Sequence, residues 1–127
     1  MVERKLRRAP AESRAINIAA SRLDTSATLA PTGRLDGLSS PDFEHQVSAL
    51  LESGVDSLVF DLSGLDYVSS AGLRVFVFAA KRLKSAGGTV RFVALTPTVQ
   101  DVFRVSGLLT VLDVEATVEP RDRVEVA

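Results

Sequence analysis

VDSLVFDLSGLDYVSSAGLR, residues 55–74, changes character at its middle. The first half holds the apolar run Leu58–Val59–Phe60 between turn residues, which predicts a strand covered on both faces and central in a sheet. The second half opens SSAGLRVFVFAAKRLKSAGG (69–88), whose helical spacing predicts a helix stopped by Gly87 and Gly88. A buried strand running into a helix is the repeating unit of a parallel α/β sheet. Two serines stand at the junction, and their residue type admits two uses. One is capping of the helix, whose first N–H groups lack partners. The other is display of a hydroxyl at a helix start, where a phosphate attached to it would meet favourable electrostatics.

Working outward, AINIAASRL (15–23) and SATLAPTGRLD (26–36) predict a hairpin turning at Asp24 and Thr25. SSPDFEHQVSALLESG (39–54) predicts an amphipathic helix with Ser40 as N-cap, Pro41 at the first helical position and Gly54 as its stop. TVRFVAL (89–95) predicts a strand. TPTVQDVFRVSGL (96–108) predicts a helix from Thr96–Pro97 to Gly107, and LTVLDVEATV (109–118) a last strand. EPRDRVEVA (119–127) is expected to be a short helix or a frayed end, and the Arg-rich residues 1–14 a flexible basic tail ahead of a domain spanning 15–127. The fold class is therefore α/β: one domain, an N-terminal hairpin feeding a mostly parallel sheet of about five strands, with helices packed against it.

Composition narrows the function. At 127 residues the chain has room for one ordinary core. Its formal net charge of -1 lacks the cationic excess that nucleic-acid binding needs. With no cysteine there is no disulfide, thiolate metal site or cysteine nucleophile. No apolar run approaches the roughly 20 residues of a membrane span, and MVERKLRRAPAESR (1–14) has charges where a signal peptide is apolar. A cytoplasmic protein without membrane insertion is expected.

The candidate site gathers at the serines. SSAG lacks the Gly-x-Ser-x-Gly elbow of serine hydrolases, and the single histidine, His45, falls in the first predicted helix, so a catalytic triad is disfavoured. Asp36, Asp61 and Asp66 flank predicted strand ends, where carboxylates commonly satisfy turn backbone. Carboxyl ends of parallel strands converge on one rim, and on that ground Asp36 and Asp61 are expected beside Ser70. On a wheel of the second helix, Leu73, Phe76, Val77, Ala79, Ala80 and Leu83 gather on a core side. Phe78 and Val75 fall outside it among Arg74, Lys81 and Arg82, so Arg74, Val75, Phe78 and Arg82 are candidates for a partner-binding surface.

VFDLSGLDYVSSAGLRVFVFAAKRLKSAGG (59–88) followed by LTPTVQDVFRVSGL (95–108) closely resembles the STAS domain family and, within it, the bacterial anti-anti-sigma factors, or anti-sigma factor antagonists. The family's D-x-S falls on Asp61 and Ser63, its D-S-[ST]-G-L on Ser69 to Leu73, its Gly-Gly turn on Gly87 and Gly88, and its F-x-x-x-G-L on Phe103, Gly107 and Leu108. TGRLDGLSS (32–40) matches the upstream element at Gly33, Leu35, Asp36 and Ser39. This resemblance implies a non-enzymatic switch. Unphosphorylated, it binds an anti-sigma factor serine kinase and frees the sigma factor; phosphorylated on Ser70, with Ser69 as the rival acceptor, it no longer binds. ATP and magnesium would belong to the kinase, the chain itself holding no cofactor or metal, and a PP2C-type phosphatase would reset the switch. Asp36, Asp61, Ser69 and Gly72 would support the acceptor. The chain departs from the pattern at Ser69, where the family has aspartate, and at Ala71, where it has a second hydroxyl residue. The alternative implied is an unphosphorylated STAS subunit or scaffold of a membrane transport or signalling complex.

Overall fold

The computed structural model describes residues 16–115, so the expected tail over 1–14 and the ending over 119–127 lie outside the described residues. Strands β1 (Asn17–Leu23) and β2 (Ser26–Leu35) form the opening hairpin, in antiparallel register from Asn17 with Thr32 to Leu23 with Ser26. Asp24 takes the left-handed turn position (φ 56) that aspartate tolerates better than most residues. Helix α1 (Ser40–Glu52) follows, then β3 (Ser57–Asp61), β4 (Leu65–Val68), helix α2 (Ser70–Ser85), β5 (Thr89–Val93) and helix α3 (Pro97–Val105). A 3-10 turn at Leu108–Thr110 leads to β6 (Val114–Glu115).

The sheet runs β1-β2-β3-β5-β6, and every pairing after the hairpin is parallel. Its long strand, β2, serves two partners in turn. Ser26 to Leu29 pair with Ser57 to Phe60 of β3, and Gly33 to Leu35 pair with Leu65 to Val68 of β4. As expected, β3 is central. It is not covered on both faces: Leu58 and Phe60 are buried while Ser57, Val59 and Asp61 are half-buried, because all three helices bring their aromatic residues to the Phe60 side. There Phe43 of α1, Phe76 of α2 and Phe103 of α3 meet Phe60 and Phe92 of the sheet, with touching rings 5.0–5.9 Å apart. All five are fully buried, so truncating any one to alanine removes on the order of 3–5 kcal/mol.

Three local expectations shift. The N-cap of α1 is Ser39 and not Ser40; Pro41 sits in the first turn as expected, but the cap position carries no side-chain hydrogen bond. The stretch 109–118 is not a continuous strand. Gly107, at φ 79, ends α3 and starts the 3-10 turn, Leu112 plugs the core, and strand pairing begins only at Val114. β4 was hidden in the sequence between a strand and a helix. By contrast, α2 ends where expected, with the Gly88 N–H donating to Leu83 O at 2.7 Å and Gly87 in the left-handed conformation.

Candidate functional site

Register builds the site. Leu35 pairs with Val68, and both point into the core. Side chains alternate along a strand, so their neighbours Arg34 and Tyr67, also register partners, lie on the opposite face, with the Arg34 guanidinium 4.2 Å from the Tyr67 ring centroid. One residue past the buried pair stand Asp36, directly after β2, and Ser69 at the entrance to α2. The Ser69 N–H donates to Leu35 O at 2.8 Å, which ties the start of α2 to the end of β2.

The two serines divide the two uses. Ser69 is the N-cap: its backbone is extended (φ -95, ψ 177) and its Oγ accepts from the Gly72 N–H at 3.3 Å. Ser70 is the first helical residue, exposed, and among the described residues its hydroxyl has no hydrogen-bond partner. The cap is made by the residue that stands where the family has aspartate, leaving the next hydroxyl on display. Gly72 lets this happen. It is buried so closely on β2 and β4 that a Cβ there would lie 2.7 Å from Leu35 Cγ and 2.9 Å from Val68 Cγ2.

Asp36 is locked in a turn. Its Oδ1 accepts from the N–H groups of Leu38 (3.0 Å) and Ser39 (3.1 Å), while its own N–H donates to Ser39 Oγ and that hydroxyl donates to Arg34 O at 2.8 Å. The Ser39 N–H is the main reason the Asp36 carboxyl sits below the ordinary aspartate pKa; burial opposes this, and the Leu38 N–H, the Ser39 hydroxyl and Arg34 at 3.7 Å add to it. The Arg34–Tyr67 pair beside Asp36 was not among the sequence candidates. The two residues are 33 positions apart, and only the β2–β4 register brings them together.

The structure overturns two placements. Asp61 is not beside Ser70: it ends β3 opposite Val93, level with the middle of β2, while Asp36 lies about six residues further on, roughly 20 Å at the rise of a strand. Its Oδ1 accepts the Ser63 N–H at 3.0 Å and closes the turn into β4. Val75 is buried, at 3% exposure, and shows only a trace of surface at the groove between α1 and α2. The wheel took the sheet as the only neighbour of α2, but α1 packs along the same helix on the Val75 side, which turns the buried stripe to Gly72, Val75, Phe76, Ala79 and Leu83.

The remaining partner candidates keep their exposure. Arg74 and Arg82 are exposed and Phe78 is half-buried, with the Arg82 guanidinium 5.6 Å from its ring centroid. A groove of about 340 Å³ opens between α1 and α2 and reaches Ala71, the residue after Ser70; Ser40, Glu44, Arg74, Val75 and Phe78 also line it. Ser40 is 5% exposed, and its Oγ has no hydrogen-bond partner. His45 is exposed on α1. Among the described residues no helix is long and apolar enough to cross a membrane.

The STAS domain description matches residues 17–120. BtrV of Bordetella bronchiseptica, assigned as an anti-sigma factor antagonist, is 37% identical over 82 residues, which cover 65% of this chain and 71% of that protein. The anti-sigma-B factor antagonist of Bacillus subtilis is 29% identical over 104 residues, 82% of this chain and 94% of its own. Among solved structures, the Bacillus anti-sigma factor antagonist SpoIIAA is 19% identical and shares the fold. Its unphosphorylated form has a TM-score of 0.68 over 88% of this chain and 97% of that one, and its phosphorylated form 0.62 over 86% and 98%. The chain therefore belongs to the STAS domain family, with anti-sigma factor antagonists as its relatives.

Proposed function

We propose that this chain is a phosphorylatable switch that binds an anti-sigma factor serine kinase through the Ser70 end of α2, and that phosphorylation of Ser70 ends the binding. One observation carries the reading: of two adjacent serines, Ser69 is engaged as a cap, while Ser70 is exposed with no hydrogen-bond partner among the described residues, next to Ala71 of the groove. The γ-phosphoryl group passes from ATP to Ser70 Oγ, and ADP and the hydroxyl proton leave. ATP and magnesium are held by the kinase, so this chain contributes the acceptor and its orientation and no catalytic group. A PP2C-type phosphatase restores the hydroxyl.

The switch works by charge. A phosphoserine carries about -1.5 to -2 at neutral pH, and a partner surface fitted to a neutral hydroxyl must then bury that charge, at several kcal/mol, or lose contact. The fold absorbs the change because Ser70 is exposed and sits at the positive end of α2. SpoIIAA is known in both unphosphorylated and phosphorylated forms, and the likeness of this chain to each supports a switch that leaves the fold intact. Arg74, Phe78 and Arg82, on successive turns of the same helix, supply the docking surface.

Incubation with ATP, magnesium and a serine kinase of the anti-sigma factor type, read by intact mass, tests the proposal. One phosphate on the wild-type chain and on Ser69→Ala, and none on Ser70→Ala, is the expected result. No phosphate on any form with an active kinase would leave the chain a docking module with a capped helix.

A further inference from the structure

The three helices of the described residues differ in what stands one turn from their first residue. In α1, Ser40 is followed four positions later by Glu44, and in α3 Pro97 by Asp101; in α2, Ser70 is followed by Arg74. Residues four apart share a helix face with their Cβ atoms about 5–6 Å apart. Only in α2 does a cation overlie the first residue.

Arg74 also differs from the other arginines of the described region. Arg22 bonds Ser53 and Asp24 O, Arg34 is held by Asp36 and Tyr67, Arg82 lies over Phe78, Arg91 has a partner, and Arg104 pairs with Asp101. Among the described residues the Arg74 guanidinium has none, although it is exposed and shares the groove with Glu44. A planar guanidinium held free one turn from an exposed hydroxyl is suited to bidentate contact with a phosphoryl group on that hydroxyl.

We propose that Arg74 is the receptor, within the chain, for a phosphoryl group on Ser70. The proposal rests on the phosphoswitch reading for the presence of that group. Its consequence is that one modification changes the docking surface twice. A dianion appears at the head of α2, and the cation that lines the groove beside Ser40 and Phe78 is drawn away to meet it. The other charged groups on the neighbouring elements do not substitute for Arg74. Asp36 at the end of β2 and Glu44 on α1 are acids that oppose ionisation of the phosphate, and Arg34 is already engaged.

Phosphoserine encoded directly at position 70 tests this without any kinase. The second ionisation of the phosphate is followed by 31P NMR at low salt in the wild-type chain, Arg74→Gln and Arg74→Lys, with circular dichroism confirming that the exposed substitutions keep the fold. The wild-type phosphate is expected to ionise about half a pH unit or more below that of Arg74→Gln, a threefold change in acidity constant. Arg74→Lys is expected in between, and 0.5 M salt should shrink the difference because the pair is exposed. Superimposed wild-type and Arg74→Gln titrations at low salt would overturn the proposal. A chain that its kinase never phosphorylates would sink the switch instead and leave this titration to be judged by itself.

Discussion

Gly72 rests on Leu35 with no room for a methyl group between them: a Cβ on the glycine would lie 2.7 Å from Leu35 Cγ, and Leu35 is fully buried and cannot retreat. The contact fixes where α2 begins relative to the end of β2. It therefore also fixes the distance from Ser70 to Asp36, which follows Leu35 directly.

Gly72→Ala is accordingly expected to destabilise. Replacing glycine inside a helix favours folding by about 1 kcal/mol, but forcing a methyl into a filled core costs about 1–3 kcal/mol and more where backbone must move. A net loss in urea midpoint, with slower phosphorylation of Ser70, is expected. An unchanged or raised midpoint would mean that Val68 and Leu35 give way and that the close approach positions nothing.

Ser40→Ala separates the sequence reading from the structure. As an N-cap, Ser40 would lose about 1 kcal/mol on truncation. In the structure its hydroxyl is buried and unbonded, and removing an unsatisfied buried polar group is neutral or stabilising by up to about 1 kcal/mol. Chemical denaturation is expected to show no loss; a drop of about 1 kcal/mol would restore Ser40 as the cap.

Why the sequence located some features and missed others follows from the range of the forces involved. The ends of α2 and α3 were legible because Ser69, Gly87, Gly88, Thr96 and Pro97 act on backbone groups within a few residues of themselves. The hydroxyl of Thr96 shows where that ends: it caps α3 at the Val99 N–H, as local chemistry predicts, but also donates to Leu65 O of β4, a contact 31 residues away. β4 escaped notice because four residues, LDYV, make too short a period to separate from the helix that follows, and its existence depends on the far half of β2 being free to pair. Val75 was misplaced for a similar reason. A helical wheel finds one apolar stripe, while α2 is buried by two neighbours at an angle to each other. Asp36 was placed at the rim from its strand end, and it directly follows Leu35, whose carbonyl takes the Ser69 N–H, whereas Asp61 sits at a strand end too, but at the end of a strand that stops six residues short of the rim.

Asp36 contributes a pH-dependent part of the stability. Its folded-state pKa is depressed, chiefly by the Ser39 N–H, so the carboxylate stabilises the fold above its ordinary value of 3.8, and the contribution is lost as pH falls through the lower folded value. Asp36→Ala should therefore be less stable than wild type near neutral pH, and the gap should close as pH drops below about 4. Denaturation midpoints of both proteins across this range provide the check; a gap that stays constant down to about pH 3 would show that the charged form is not what the turn holds.

Phe78→Ala probes the docking surface and the fold together. The ring is half-buried and packs on the edge of the core, so truncation is expected to lower stability by roughly 1–2 kcal/mol, well short of the 3–5 for the fully buried phenylalanines. Kinase affinity should fall by more than that of Arg82→Ala, since Phe78 lines the groove and Arg82, lying over its ring, does not. Calorimetric titration at a temperature where the variant is fully folded gives both affinities, and wild-type affinity for Phe78→Ala would remove the groove from the interface.

The adjacent serines predict a double dissociation. Ser69 Oγ satisfies the Gly72 N–H, so Ser69→Ala should lose about 1 kcal/mol of stability and still accept one phosphate from the kinase. Ser70 makes no such bond and is exposed, so Ser70→Ala should melt like wild type, within about 0.5 kcal/mol, and accept none. Melting and intact mass on the same two variants therefore read capping and phosphate acceptance separately. If Ser69→Ala kept full stability and lost the phosphate, the two serines would have exchanged roles. The free guanidinium of Arg74, four residues from Ser70 and five from Ser69, would then face the wrong hydroxyl.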